Sequence, residues 1–386
     1  MIYILCFFFS TFFIWLGTRR CSNLCMENGK WEKIKFKKVP VIIGLLFPVL
    51  LATFRDTTVG SDVEYYVVPY FKNACSMNDF WDYVTYIGGK QSDLAYSVLN
   101  YLISRVTDSI GVLFFAVQAI IIIFIFIGFW NIRGRVYPWV GMLFYYLLFY
   151  NMSLSTVRQS CALAICFCAI CMAFRYSFEK KQIFKVLGLV ILAFFFHASA
   201  VISVPVLFVC YLFGKKEIKL RPFVVISVAL CILFGIFYNQ LMQLIIMIVS
   251  LVNNKYTNEF FLTTVGVGAS GYKSIILIGL VILCLQLLIG KRKNKNWREL
   301  NNALIGFNVI YIVSMLFLSR ISFMPRLLYY IQILWPISLG GVGFVLVRNR
   351  KNRILATGIL IIIVMAFWFY FYIVGGVHET YPYVFR

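Results

Sequence analysis

Long apolar runs separated by short basic connections dominate this chain, from MIYILCFFFSTFFIWLG at the start to ILATGILIIIVMAFWFYFYIV near the end. Crossing a bilayer core about 30 Å thick takes roughly 17–25 apolar residues per helix. Apolar spans are read at about 2–17, 39–54, 109–130, 137–150, 159–175, 184–196, 198–213, 222–238, 273–290, 302–319, 327–347 and 354–374. The pattern predicts an all-α, polytopic integral membrane protein of about 12 transmembrane helices, one transmembrane domain covering residues 1–386. Composition excludes the alternative: at 62% hydrophobic and 13% charged, a soluble fold of 386 residues could not hide its apolar surface.

The run from Ile183 to Phe213 is too long for one crossing, because a helix rises about 1.5 Å per residue and these 31 residues would reach about 46 Å. Lysines mark both ends: Lys180 and Lys181 before it with Lys185 in its first turn, Lys215, Lys216 and Lys219 after it. A short helical hairpin over 184–213 satisfies both facts, and its apex falls in FFFHASA at His197 and Ser199. Two segments between spans are long enough for structure of their own. In 55–108, Leu94, Val98, Leu102 and Val106 recur at helical spacing, which predicts interfacial amphipathic helices. The other, 239–272, includes TTVGVGASGYK, whose glycines predict a loop.

The net charge of +22 would suggest a nucleic-acid partner in a soluble protein; its distribution says otherwise. With the start placed outside, the segments at 18–38, 131–136, 175–185, 214–221, 291–301 and 348–353 face the cytoplasm and hold 26 of the 36 Lys+Arg. They hold 5 of the 14 Asp+Glu, so that side nets +21 (26 less 5) and the outer side +1 (10 less 9). That asymmetry is the positive-inside signal, with no nucleic acid needed and both termini placed outside. The first span lacks a positive n-region and a small-residue cleavage site and is followed by Arg19 and Arg20, so it is read as a retained helix.

Most of the 11 cysteines lie within spans, CAIC at 168–171 included, so neither a disulfide framework nor a zinc site is expected. Two well-separated histidines cannot build a multi-histidine metal site, and no HExxH or DxD cluster occurs; no metal and no cofactor are expected. GxxxxGK[ST] and GxSxG are absent too, which leaves ATP-driven transport and serine hydrolysis unsupported.

The remaining polar residues fall at one set of span ends: Arg55, Asp56, Asp62, Glu64, Arg105, Arg158, Gln159, Arg320 and Arg326, joined by His197 through the hairpin. Ionisable groups at membrane depth are costly and usually face a cavity. One such arginine would be read as snorkelling to headgroups; four or five at otherwise charge-poor ends point to an anion site. Arg158 opens a helix after NMSLST, where free N–H groups and a guanidinium fork both favour phosphate. Arg320 and Arg326 bracket another short connection. Asp62 follows Gly60 and Ser61 in a tight-turn setting; it either faces a ligand as a proton acceptor or closes an Asx turn or an ion pair with Arg55. His197 is either a packing histidine or a proton-transfer group. Asp79, Asp82 and Asp93 read as surface residues and His378 as solvated.

Four stretches carry a resemblance. FRDTTVGSDVEYY resembles the early R…(T)VGxD…Y element of the EpsG-like, Wzy-type polysaccharide polymerases. STVRQSCALAI is similar to that family's RQxxA helix start, AFFFHASAVISVP to its AxxxHxSA element, and SRISFMPRLLYY to its late arginine-rich turn. The four occur in family order over about residues 54–330; Ser61 stands where the family often has Thr. The resemblance implies a GT-C-like glycosyltransferase of the bacterial inner membrane. It would join undecaprenyl-pyrophosphate-linked oligosaccharide repeats at the outer face, without a metal, in O-antigen, capsule or exopolysaccharide synthesis. Under it, Arg158, Gln159, Arg320, Arg326 and Arg55 would hold pyrophosphate, Asp62 or His197 would serve the acceptor hydroxyl, and Tyr66, Tyr329 and Tyr330 would line the glycan or lipid. It leaves room for a chain-length regulator as a partner. A flippase or transporter of the same lipid, or a membrane acyltransferase using His197, are the alternatives. A flippase would carry charges along a path open to both faces, whereas these candidates share one face.

Overall fold

The computed structural model describes residues 1–28, 35–88, 93–175, 178–215, 218–237, 240, 243, 269–290, 295–318, 324–345 and 350–386. Among them the chain is helical, with a lone antiparallel bridge between Arg55 and Phe385. In order, the helices are α1 (Ile2–Asn28), α2 (Lys38–Thr53), α3 (Val68–Ser76), α4 (Phe80–Gly88), α5 (Leu94–Ser104) and α6 (Ile110–Asn131). Then come α7 (Pro138–Tyr145), which runs through a π-turn into α8 (Asn151–Ser155), α9 (Val157–Arg175), α10 (Lys180–Phe196), α11 (Ser203–Lys215) and α12 (Leu220–Ile236). Last are α13 (Ala269–Gly290), α14 (Lys295–Leu318), α15 (Met324–Gln332), α16 (Trp335–Val345) and α17 (Arg350–Trp368). Residues 244–268 of the second long segment, and Arg320, lie outside the described residues.

Seven stretches among the described residues are long and apolar enough to cross a membrane: Ile2–Arg19, Ile110–Asn131, Val157–Arg175, Ala198–Lys215, Lys273–Gly290, Trp297–Leu316 and Asn352–Val374. The chain is thus a multi-pass, helical membrane protein, and seven of the about 12 expected crossings are long enough to span as single helices among the described residues. Lys38–Thr53 and Leu220–Ile236 are shorter apolar helices. The expected span at 137–150 is one continuous helical run, passing through the π-turn Tyr146–Tyr150 into α8, whereas the second, at 327–347, breaks between Gln332 and Trp335. Pro336 accounts for the second, since proline has no N–H to continue a helix and is tolerated only in a first turn.

The centre of the bundle is α9, buried along nearly its whole length. Its sequence, VRQSCALAICFCAICMAFR, is rich in Ala and Cys, and small residues let membrane helices approach closely. α6 and α10 both pack on it. The hairpin is present as expected: α10 ends at Phe196, a 3₁₀ turn runs over Ala198–Ile202, and α11 returns. Phe178, just before α10, meets Tyr211 of α11 with ring centroids 5.7 Å apart, so the two far ends close on each other. Elsewhere, buried amides join α13, α14 and α16: Gln286 donates to Ser338 (2.8 Å), Asn308 to Gln286 Oε1 (3.2 Å) and Trp335 Nε1 to Asn308 (3.2 Å).

The described residues of 55–108 include the short helices α3, α4 and α5. In α5 the side turned into the protein carries Tyr96, Ser97 and Asn100, whereas Leu94 and Leu102 are exposed, as is Val106 beyond the helix. The last residues form a strap over this region. Gly60 N–H donates to Glu379 O (3.0 Å), Ser61 N–H to His378 O (3.2 Å), and Asp56 N–H to Val384 O (2.8 Å). Asn151 in α8 donates to Thr380 (2.9 Å) and accepts from Trp368 Nε1 (2.8 Å). His378, expected to be solvated, is half-buried with its ring stacked on Tyr372.

Candidate functional site

A cleft of about 350 Å³, counting space open to solvent, is lined by Asp62, Tyr66, Val67, Ser155, Thr156, Val157, Arg158, Gln159, His197 and Arg326. Four separate parts of the chain meet here: the turn before α3, the α8–α9 junction, the hairpin apex and the start of α15. At their other ends these helices carry Arg175 and Lys180, so the cleft lies at the end of α9 and α10 away from the basic connection.

The first wall depends on Gly60. Its φ of +109° is open to glycine and strained for other residues. It packs so closely on α8 that a Cβ would fall 2.7 Å from Leu154 O. Ser61 Oγ then bonds Ser155 Oγ at 2.8 Å, and Asp62 comes next, at the cleft. Among the described residues no hydrogen bond or ion pair occupies the Asp62 carboxylate; the Asx turn of this stretch belongs to Asp56, which accepts from Thr58 N–H at 3.0 Å and Thr58 Oγ1 at 2.8 Å.

Arg55 lies elsewhere. It is 2% exposed, donates to Leu154 O and places its guanidinium 4.2 Å from the Phe114 ring centroid. Burial pulls its pKa down to about 10, so it stays cationic at neutral pH. It braces the carbonyl against which Gly60 packs, and it does not line the cleft.

The second wall is the start of α9, where Thr156, Val157, Arg158 and Gln159 line the cleft. The chain breaks between α8 and α9 at Thr156 (φ −82°, ψ 60°), a residue whose hydroxyl bonds Met152 O and Ser160 Oγ, both at 3.1 Å. A helix N-terminus favours an anion. Arg158 is held by Asp93 at 2.7 Å, the one ion pair among the described residues. Asp93, expected on the surface, is 7% exposed. Its helical context gave no sign of this, because the pair spans 65 positions of sequence. Gln159 donates to the Arg326 carbonyl at 2.7 Å, so its amide ties α9 to α15.

His197 and Arg326 complete the site. His197 caps α10 in an extended conformation (φ −161°, ψ 126°). Ser199 Oγ lies 2.8 Å from His197 Nδ1 and 3.1 Å from Tyr330 OH. Burial, then Arg158 and Arg326, push the His197 pKa below its ordinary value against an opposing pull from Asp93, which favours the neutral ring. Arg326 is exposed at the cleft. Tyr66 lines it as well, whereas Tyr330 is buried behind His197 and Tyr329 is half-buried outside the lining. No cluster of three His, Cys, Asp or Glu able to hold a metal occurs among the described residues.

The cleft thus brings together two guanidiniums, a helix N-terminus, an imidazole and an unengaged carboxylate, a set with the chemistry to hold an anion next to a proton acceptor. The family model described as the EpsG family matches residues 38–385. No curated protein and no solved structure matches the chain.

Proposed function

The chain belongs to the EpsG family of polysaccharide-polymerase-like membrane proteins, and from that premise we propose that it joins lipid-linked oligosaccharide repeats by glycosyl transfer. The donor is a glycan on undecaprenyl pyrophosphate in the bacterial cytoplasmic membrane, and the cleft faces the outer side. A hydroxyl of the acceptor repeat attacks the anomeric carbon of the donor glycan. The bond from that carbon to the pyrophosphate oxygen breaks, and undecaprenyl pyrophosphate departs with the electron pair. The hydroxyl proton passes to a group at the cleft, Asp62 or His197.

Charge development sets what the protein must supply. Negative charge grows on the pyrophosphate as it leaves, and preorganised donors aimed at that position stabilise it. Arg326, Arg158 and the start of α9 are those donors, with no metal required. Tyr66, exposed beside Asp62, offers a ring face to a sugar. The exposed apolar face of α5 fits the outer leaflet surface.

The observation that supports this reading most is the gathering of Asp62, Arg158, His197 and Arg326 from distant parts of the sequence around one cleft. Deleting the gene and resolving surface glycan by length tests it. Loss of the long ladder with single repeats retained supports the polymerase; persistence of long chains sinks it.

A further inference from the structure

We propose that His197 acts as a neutral hydrogen-bond donor through Nε2–H to a phosphate oxygen of the lipid-linked donor, leaving Asp62 as the base. This rests on the glycosyl-transfer reading above. It decides between two roles which that reading leaves open.

The hydrogen bonds at the hairpin apex fix the tautomer. Ser199 N–H approaches His197 Nδ1 at 3.2 Å, and a backbone N–H can only donate. Nδ1 therefore holds a lone pair there, and a neutral ring has its one proton on Nε2. Ser199 Oγ, 2.8 Å from the same nitrogen, then donates too and is left to accept from Tyr330 OH at 3.1 Å. The proton order runs Tyr330 to Ser199 to His197. Tyr330, 1% exposed, anchors it from α15. Accepting a proton at Nε2 would give an imidazolium beside Arg158 and Arg326 in a buried setting, which the fold disfavours. Working as a base through Nδ1 would instead require breaking both Ser199 contacts.

No described residue bonds Nε2, and the ring lines the cleft with both arginines. An N–H beside two guanidiniums suits an anionic oxygen. A neutral imidazole used as a donor is a known solution where neighbouring positive charge keeps the ring unprotonated. Asp62 is the carboxylate that lines the cleft, whereas Asp93 is engaged by Arg158.

The chain has two histidines, which makes the tautomer directly observable. His378 has a φ of +70°, a conformation asparagine tolerates, so His378→Asn leaves one imidazole in a folded protein. In ¹⁵N-histidine-labelled protein in lipid nanodiscs at pH 7, Nδ1 should resonate as the unprotonated nitrogen and Nε2 as the protonated one. Inorganic pyrophosphate should shift Nε2 more than Nδ1. A ring protonated on Nδ1, or an Nε2 indifferent to pyrophosphate, overturns the proposal. In the polymerisation assay His197→Gln, which keeps an N–H near the Nε2 position, should retain at least ten times the activity of His197→Ala; equal loss in both overturns it. The failures are separable. A correct tautomer in a strain whose deletion leaves the polymer intact sinks the polymerase and leaves the hydrogen-bonding assignment standing.

Discussion

Adding one methyl group at Gly60 puts an atom where the fold has no room. The new Cβ would lie 2.7 Å from Leu154 O and 3.1 Å from both Leu154 C and Ser155 Cα, all backbone atoms that no rotamer change can move. The φ of +109° adds strain that alanine does not tolerate, about 1–3 kcal/mol for such regions. Relieving the overlap costs about 1–3 kcal/mol more. A combined penalty of about 3 kcal/mol shifts a local equilibrium by roughly a hundredfold, and the loop yields before the helices because local opening costs less than global unfolding. When it yields, the Ser61–Ser155 bond is lost and Asp62 leaves the cleft. Gly60→Ala should therefore reach normal membrane levels yet lose the long glycan ladder, and a Ser61→Cys reporter should label faster in its background. Gly358→Ala is the control: its Cβ meets nothing within 4 Å, and at a helical position it should be neutral or stabilising by up to about 1 kcal/mol. A Gly60→Ala variant with a normal ladder and unchanged labelling of the Ser61→Cys reporter would refute the placement of this loop.

Arg326→Ala should abolish polymerisation, by about a hundredfold or more, without unfolding the protein, because Gln159 holds the Arg326 backbone carbonyl and not its side chain; full activity would remove it from the pyrophosphate site. Asp93→Asn strips the counter-charge from a mostly buried guanidinium and should cost about 3 kcal/mol, read as a fall of several degrees in Tm; the paired reversal Asp93→Arg with Arg158→Asp should recover part of the Tm but not the activity. Thr380→Val removes the acceptor of the Asn151 Nδ2 bond and should destabilise by about 1–3 kcal/mol; an unchanged Tm would show that the strap is not anchored there. Truncation after Gly376 removes the carbonyls that receive Asp56, Gly60 and Ser61 N–H. The resulting protein should insert normally but show the loose-loop phenotype of Gly60→Ala.

Several features of the site were legible from residue type and order. Gly60 before an acidic residue, Arg158 after a run of hydroxyl residues, and a histidine at the only place where an over-long apolar run could turn each have a local physical meaning. Local meaning did not reach Asp93 or Arg55. Both are charged residues in a polar stretch, and whether such a residue meets water, a phosphate or a buried partner depends on what packs over it. Asp93 is buried against Arg158 from 65 positions away, and Arg55 beneath α8 and the C-terminal strap. Tyr330, expected to meet sugar or lipid, is instead turned to Ser199.

What the sequence by itself determined is the solvent of this protein and its helical class. Apolar runs of membrane length must satisfy their backbone hydrogen bonds internally, and helices do so segment by segment. It also determined the hairpin, because the mostly apolar run Ile183–Phe213, 31 residues with lysines at both ends, is too long to cross once. The tertiary structure alone decided which polar groups share a cleft, which cation is braced by a carboxylate, and which side chains meet the imidazole at the hairpin apex. Those properties depend on distances between residues far apart in the chain, and pattern and propensity act only over neighbours.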